Sequence, residues 1–333
     1  MMASFIKAIS YYLPEITVSN EVLASEFPEW SVGKIAKKVG VNNRHVVTKD
    51  QCASDIAEQA VRRLLIENGI DKNCIDFLLF CTQSPDYFLP TTACLLQDRL
   101  GLGIRCGALD FNLGCSGFVY GLALAKGLIE SDTAKNVLLV TAETYSRHIH
   151  KRDKGNRTIF GDASAAILVS TSGFAEIGSF DLGTDGSGGN NLIVKSGAMR
   201  HREKFEDISF DKSGNPISSD HLYMNGPEIF NFTLETVPEL VDNVIKKNGV
   251  DKESIDLYVF HQANKYMLDC LFDLMEIEEE KAFVYMSDVG NTVSSTIPIA
   301  LFEAKKAQKL HGNVLIAGFG VGYSWGGCVL SCK

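Results

Sequence analysis

NGIDKNCIDFLLF at residues 68–80 and NGVDKESIDLYVF at residues 248–260 are two versions of one segment: Asn, Gly, Asp, Lys, Ile, Asp and Phe recur at seven of thirteen positions, at an offset of 180. In each copy an amphipathic helix, AEQAVRRLLIENG or PELVDNVIKKNG, runs up to a glycine suited to a left-handed cap. A short apolar run follows and reads as a buried strand. A second echo lies downstream, NVLLV at 136–140 against NVLI at 313–316, each after a helix and before small residues. Internal repetition settles architecture before any motif does. Helix then apolar strand, repeated in each copy, predicts strands buried on both faces with helices over them, and hence an α/β protein of two similar halves packed together. The stretch 183–221 is rich in Gly, Ser, Asn and charge and reads as excursions outside the core.

A chain of 333 residues, 45% of them apolar, has enough material for one large core or two intimately packed halves. Its formal charge of -9 argues against a protein that coats nucleic acid, which needs a net basic face. Cysteines 52, 74, 81, 94, 106, 115, 270, 328 and 332 are odd in number and form no CxxC pair, so free thiols in a reducing compartment are expected rather than a disulfide framework or zinc site. No signal-peptide pattern opens the sequence, and no run of eighteen uncharged apolar residues occurs in it. A cytoplasmic protein that spans no membrane is expected.

Three residues carry reactive chemistry in suggestive settings. Cys115, in DFNLGCSGFVYGLALAKG, stands where an apolar strand meets a small-residue turn and a helix begins. Unpaired backbone N–H groups there favour a thiolate and an oxyanion alike, although a cysteine among small residues is ordinarily just packing. His261, in VFHQAN, follows the second copy of the repeated strand at its polar exit, where α/β sheets place ligands; its bland alternative is a satisfied core histidine. Asn291 lies in SDVGNTVSSTIPIALFEAKK, a Gly-Asn turn feeding a helix that the repeat equates with the helix after Cys115. Duplication would therefore bring the three to one pseudo-twofold axis.

The chain resembles the β-ketoacyl-acyl carrier protein synthase III group of the thiolase-like superfamily over essentially its whole length. The motifs that carry the resemblance are GCSGF, HQAN, GNT followed by SSTIP, IFGDASAA, and GFGVGYSWG, with the order Cys, His, Asn at separations of 146 and 30. The resemblance implies a thiolase-like fold layered α-β-α-β-α, with residues 1–172 carrying the cysteine and 173–333 the histidine and asparagine. It implies that an acyl-CoA primer acylates Cys115 and that malonyl-acyl carrier protein then enters. His261 and Asn291 would stabilise the enolate formed on decarboxylation, and the carbanion would attack the acyl group. Backbone N–H groups of Cys115 and of the Gly320-Val321-Gly322 loop would hold the oxyanion. No metal or cofactor is called for, and a homodimer is implied.

The same resemblance assigns substrate contact to Trp30, Lys38, Leu89, Lys154, Gly226, Asn264 and Phe319, though several neighbouring positions depart from the family pattern. Trp30 precedes Lys38 by eight positions, where the family spaces tryptophan and arginine four apart. Lys34, Lys37 and Lys38 read equally well as a solvated helix face. Tyr266, beside Lys265, replaces an arginine that docks the carrier; Lys151, Arg152, Lys154 and Arg157 form another basic run that could meet an acidic carrier protein. Leu89 replaces a phenylalanine, Pro227 an amide-bearing residue and Ala317 an acidic one, which points to a longer or branched primer and a pathway-specific paralogue. Two rivals remain: an acyltransferase making esters or amides, and a hydroxymethylglutaryl-CoA synthase-like or head-to-head condensing enzyme with Asp86 or Glu143 as base. A degenerate, inactive subunit is disfavoured because all three reactive positions are present.

Overall fold

A computed structural model describes residues 2–212 and 214–333. Nine strands make one mixed sheet: β1 (Phe5–Tyr12), β2 (Phe77–Cys81), β3 (Gly107–Phe111), β4 (Asn136–Glu143), β5 (Ala163–Ser170), β6 (Ala175–Thr184), β7 (Ile255–Phe260), β8 (Gly312–Gly320) and β9 (Ser324–Cys332). Their order is β7-β8-β9-β6-β1-β5-β4-β2-β3. It reads the same way outward from its centre. On one side β1-β5-β4-β2 runs antiparallel, antiparallel, parallel, and on the other β6-β9-β8-β7 does the same. The two sets meet only where Phe5 and Ile6 pair with Glu176 and Ala175. The counterpart of β3 is reduced to an isolated parallel bridge between Tyr258 and Ala282.

The repeat is reproduced down to single hydrogen bonds. Helix α3 (Ala53–Glu67) gives way to Gly69 at φ +59°, and the long helix α7 (Gly226–Asn248) to Gly249 at φ +64°. Ile70 N–H bonds to Leu65 O and Val250 N–H to Ile245 O, both at 180 positions' remove, which satisfies the last carbonyls of each helix. Asp71 and Asp251 then precede matching 3₁₀ turns. One expectation needs correction: the second helix does not begin at Pro238 but runs through it from Gly226. Proline removes a single N–H. The upstream turns bury Ile229, Phe232 and Thr233, and Asn225 accepts from Glu228 N–H at the true start.

The remaining helices are α1 (Asn20–Glu26), α2 (Val32–Val39), α4 (Thr92–Leu100), α5 (Gly117–Glu130), α6 (Lys154–Ile159), α8 (Lys265–Leu274) and α9 (Thr296–Lys306). Helix α5 packs against β2, β4 and β5 of one half and β6, β8 and β9 of the other, and α9 against β1, β5 and β7. With α3 and α4 outside one set of strands and α7 outside the other, the layers are α-β-α-β-α. The central helices must therefore be apolar nearly all round, as GFVYGLALAKGLIE and TIPIALFEAKK are. Among its described residues the excursion after β6 carries a 3₁₀ helix (Gly186–Asn191) and two-residue strand pairs, Leu192–Ile193 with Tyr223–Met224 and Ser209–Phe210 with Pro216–Ile217. No described helix is long and apolar enough to cross a membrane.

Candidate active site

Cys115 sits one residue before Ser116, the cap of α5, and is 6% exposed. Strand β8 crosses it so closely that side chains are excluded. A Cβ on Gly318 would lie 2.8 Å from the Cys115 carbonyl oxygen, and one on Gly320 would lie 2.9 Å from both Cβ and Sγ of Cys115. The turn is held from the far side by Ser116 Oγ, 2.6 Å from Ser324 Oγ at the start of β9. The thiolate expected at this helix start is not the resting form. Burial pushes the Cys115 thiol up to about 12; the Val321 and Cys115 N–H groups pull it back only in part, and Glu143 adds to the rise. Desolvation penalises the charged sulfur more than the N–H groups favour it.

His261 extends β7 by one residue, its N–H bonding to Ala317 O of β8 at 2.8 Å. It is 2% exposed, stands edge-on to the Phe319 ring at 5.9 Å, and holds Thr296 Oγ1 with Nδ1 at 2.7 Å. Thr296 opens α9, and its hydroxyl also reaches Val293 O at 3.0 Å. Burial pushes the imidazole down to about 3, so the ring is neutral at any ordinary pH.

Asn291 follows Gly290, whose φ of +71° turns the chain. Its backbone is clamped on both sides, N–H to Ile159 O at 2.9 Å and carbonyl from Gly161 N–H at 3.0 Å. The carboxamide oxygen accepts Val293 N–H at 2.9 Å, and one Nδ2 hydrogen is directed at Ala263 O at 3.3 Å. A second amide hydrogen remains. The end of β8 thus touches both the Cys115 turn and His261, while Thr296 and Ala263 tie His261 to the Asn291 turn. Sequence reasoning missed Thr296; the SSTIP start of α9 held the signal, because a hydroxyl there points back towards the strand end carrying His261.

The amide pair in HQAN is structural. Gln262 is buried, donating to Phe260 O and accepting Tyr285 N–H, and Asn264 caps α8 by accepting Met267 N–H at 2.9 Å. Phe319, 1% exposed, backs His261 rather than lining an open surface. Gly226 has nothing within 4 Å of a Cβ position, and Pro227 follows it in the first turn of α7. Trp30 is half-buried with Lys34 Nζ 5.5 Å over its ring, whereas Lys38 is exposed on the far turn of α2. The neighbours of Trp30 recruit other cations: Glu29 pairs with Lys154, Glu26 with Arg157, and both cations lie over Phe27. The rest of the basic run is engaged too, since Arg152 stacks over Phe210 at 4.2 Å and Arg157 donates to Lys151 O at 2.7 Å. Lys265 pairs with Asp269, and Tyr266 stacks on Phe230. Leu89 is 82% exposed. Asp86, offered as an alternative base, is engaged by Ser54 N–H and Oγ at the start of α3, and Ala317 is buried in β8.

Two duplicated α/β halves layered α-β-α-β-α, with a buried thiol, a neutral imidazole and a carboxamide at the element ends where the halves meet, have the architecture of the thiolase-like class. The family models described as 3-oxoacyl-[acyl-carrier-protein (ACP)] synthase III and its C-terminal domain match residues 109–186 and 245–332. The chain is 34% identical to the β-ketoacyl-[acyl-carrier-protein] synthase III of Clostridium perfringens over 322 residues, 96% of each chain. A 2.1 Å crystal structure of a 3-oxoacyl-(acyl-carrier-protein) synthase III is 45% identical and superposes with a TM-score of 0.96, covering 99% of both chains. The Burkholderia xenovorans 3-oxoacyl-(acyl-carrier protein) synthase is 36% identical with a TM-score of 0.90, over 99% of this chain and 94% of that one. This chain belongs to the β-ketoacyl-acyl carrier protein synthase III family.

Proposed function

We propose that this protein condenses an acyl primer, taken from acyl-CoA and held as a thioester on Cys115, with malonyl-acyl carrier protein, releasing carbon dioxide and giving a 3-oxoacyl-acyl carrier protein. The supporting observation is the pairing of Val321 N–H with a buried Cys115 at the end of β8, where Phe319 also backs a histidine that cannot charge. In the first step the Cys115 sulfur attacks the primer carbonyl, the oxyanion takes the N–H groups of Cys115 and Val321, on the Gly320–Gly322 turn, and its collapse breaks the bond to the CoA sulfur, which departs with the cysteine's proton. In the second, His261 and the free Asn291 amide hydrogen donate to the malonyl thioester oxygen as the carboxylate leaves as carbon dioxide; the enolate carbon then attacks the acyl group, the bond to the Cys115 sulfur breaks, and the sulfur is reprotonated. For donation the ring carries its proton on Nε2, and Nδ1 then takes the single Thr296 hydroxyl hydrogen, which is withdrawn from Val293 O. Residues 1–172 supply the nucleophile and 173–333 the two donors. No resident cofactor takes part in this reading.

Trp30, Lys154 and Arg157 are the better candidates for holding CoA than Lys38, because they share one surface. The exposed apolar run Tyr87, Phe88 and Leu89 (64%, 66% and 82% exposed) supports a homodimer in which a second copy covers it. A leucine at that place favours medium or branched primers over acetyl, in a cytoplasmic lipid or secondary-metabolite pathway. The test is intact mass of the protein after exposure to a panel of acyl-CoAs, with Cys115→Ala as control, followed by trapping of labelled carbon dioxide from malonyl-acyl carrier protein. Acylation at Cys115 with carbon dioxide release is expected; acyl transfer without release would establish the acyltransferase rival, and a strong acetyl preference would remove the paralogue reading.

A further inference from the structure

Glu143, the last residue of β4, is fully buried and none of the ion pairs among the described residues involves it. Its two carboxyl oxygens receive Gln83 N–H at 3.2 and 3.0 Å, Ser294 Oγ at 3.0 Å and Ser84 Oγ at 3.4 Å. Each of the closer partners leads to a different part of the site. Ser294 lies three residues after Asn291 and two before Thr296, the residue that holds His261 Nδ1. Gln83 Oε1 accepts Tyr145 Oη–H at 2.6 Å and would stand 2.6 Å from a Cβ on Gly114, the residue before Cys115. One carboxyl therefore ties the cysteine turn of one half to the asparagine turn of the other.

The duplication explains why it is there. Helices α5 and α9 start 179 residues apart on caps of the same backbone shape, Ser116 at φ/ψ -85/-9° and Ser295 at -88/-6°. In that frame Ser294 is the counterpart of Cys115, and at the offset of 180 that relates the repeated strands Cys81, ending β2, is the counterpart of His261. Where one half presents a thiol and an imidazole, its mirror presents a hydroxyl and a second thiol closed off by Glu143. The titratable groups facing Glu143 are Cys81 from β2, Cys115 and Tyr145 from the adjoining turns and Asp162 before β5, with His148 behind Ser84. None of them supplies a positive charge at neutral pH, burial holding His148 below its ordinary value.

We propose that Glu143 is a positioning residue whose carboxyl holds the Cys115 and Asn291 turns in register, and whose charge, when it forms, opposes formation of the Cys115 thiolate. Burial without a counter-ion supports it, pushing this carboxyl up to about 8. The inference rests on the condensing reading for its kinetic consequence but not for its electrostatic one. Iodoacetamide labelling of Cys115 against pH, in the full-length protein, reads the second directly. Glu143→Gln keeps the shape and the acceptor for Gln83 and Ser294 while removing the charge. Its labelling should match wild type at pH 6 and run faster at pH 9, by about threefold, because the Glu143 charge that raises the Cys115 thiol is gone. Profiles that superimpose at both pH values overturn the electrostatic claim. Should that variant not fold, wild type alone suffices: an infrared carbonyl band of a buried protonated carboxyl must be present at pH 7 and fade as the pH passes 8, and its absence at pH 7 refutes the proposal. Condensation tests the clamp. Glu143→Gln should stay within about threefold of wild type at pH 7, and Glu143→Ala should lose about tenfold in kcat with KM unchanged. An unimpaired Glu143→Ala overturns the clamp, whereas a wild type that labels as described yet releases no carbon dioxide overturns the condensing reading instead.

Discussion

A single methyl group at Gly320 tests how tightly the scaffold holds its nucleophile. In Gly320→Ala the new Cβ would lie 2.9 Å from both Cβ and Sγ of Cys115, where carbon contacts relax at about 3.5–4.0 Å. Something must move by about 0.7 Å, and the strand is the stiffer side. β8 is paired along its length with β9, Gly320 opposite Ser324 and Phe319 opposite Trp325, and with β7 on its other edge. The cysteine turn therefore yields, yet Gly114 already abuts Val321 Cγ1 and Gln83 Oε1, so it cannot slide back along its own path. The sulfur swings away from the Val321 N–H. A 1 Å misplacement of a reacting group costs on the order of 10²-fold, so the acylation rate constant should fall about 30- to 100-fold, with about 1–3 kcal/mol of stability lost to overpacking and to the φ of +157° that alanine adopts poorly. Rapid-quench intact mass gives the acylation rate and thermal unfolding the stability. Gly127→Ala is the control, on the exposed face of α5 with nothing within 4 Å of its Cβ position; it should acylate normally and gain about 0.5–1 kcal/mol from the lost helix glycine. Acylation by Gly320→Ala within threefold of wild type would refute the close packing of β8 on the thiol.

Asn291→Ala should lose about 10²–10³ in malonyl decarboxylation while still accepting the primer on Cys115, as read by carbon dioxide release beside intact mass. Thr296→Val leaves His261 Nδ1 without its partner; condensation should drop at least about tenfold and Thr296→Ser should restore it, with imidazole ¹⁵N shifts reporting the lost tautomer preference. Stability should also carry a signature of Glu143. Its carboxyl binds its proton more tightly folded than unfolded, so the chain loses stability as pH rises from the ordinary carboxylate value of 4.5 to about 8. Denaturant titrations of Glu143→Gln should fall less steeply with pH across that window.

The sequence carried the fold further than it carried the site's energetics, and the reason lies in what duplication preserves. Two copies of NGxDKxxID determine where a helix stops, how the following 3₁₀ turn is capped and where the next strand begins, and these are local matters that thirteen residues encode. From them follow the palindromic strand order and the convergence of the Cys115 turn with α9, because equivalent elements must occupy equivalent places. What the repeat cannot encode is where its halves have diverged. Cys81 against His261 and Ser294 against Cys115 are differences between copies, and neither shows that the second set closes on Glu143. Burial is likewise a property of the assembled layers. Read locally, Cys115 at a helix start argues for a thiolate; only with β8 across it does desolvation prevail and push the thiol up to about 12. The same burial keeps His261 uncharged. In the proposed reaction a thiol and an imidazole each held neutral need the substrate to complete their charge balance, which would put the N–H groups of Cys115 and Val321 at the centre of the first step and make a charge at Glu143 costly to it.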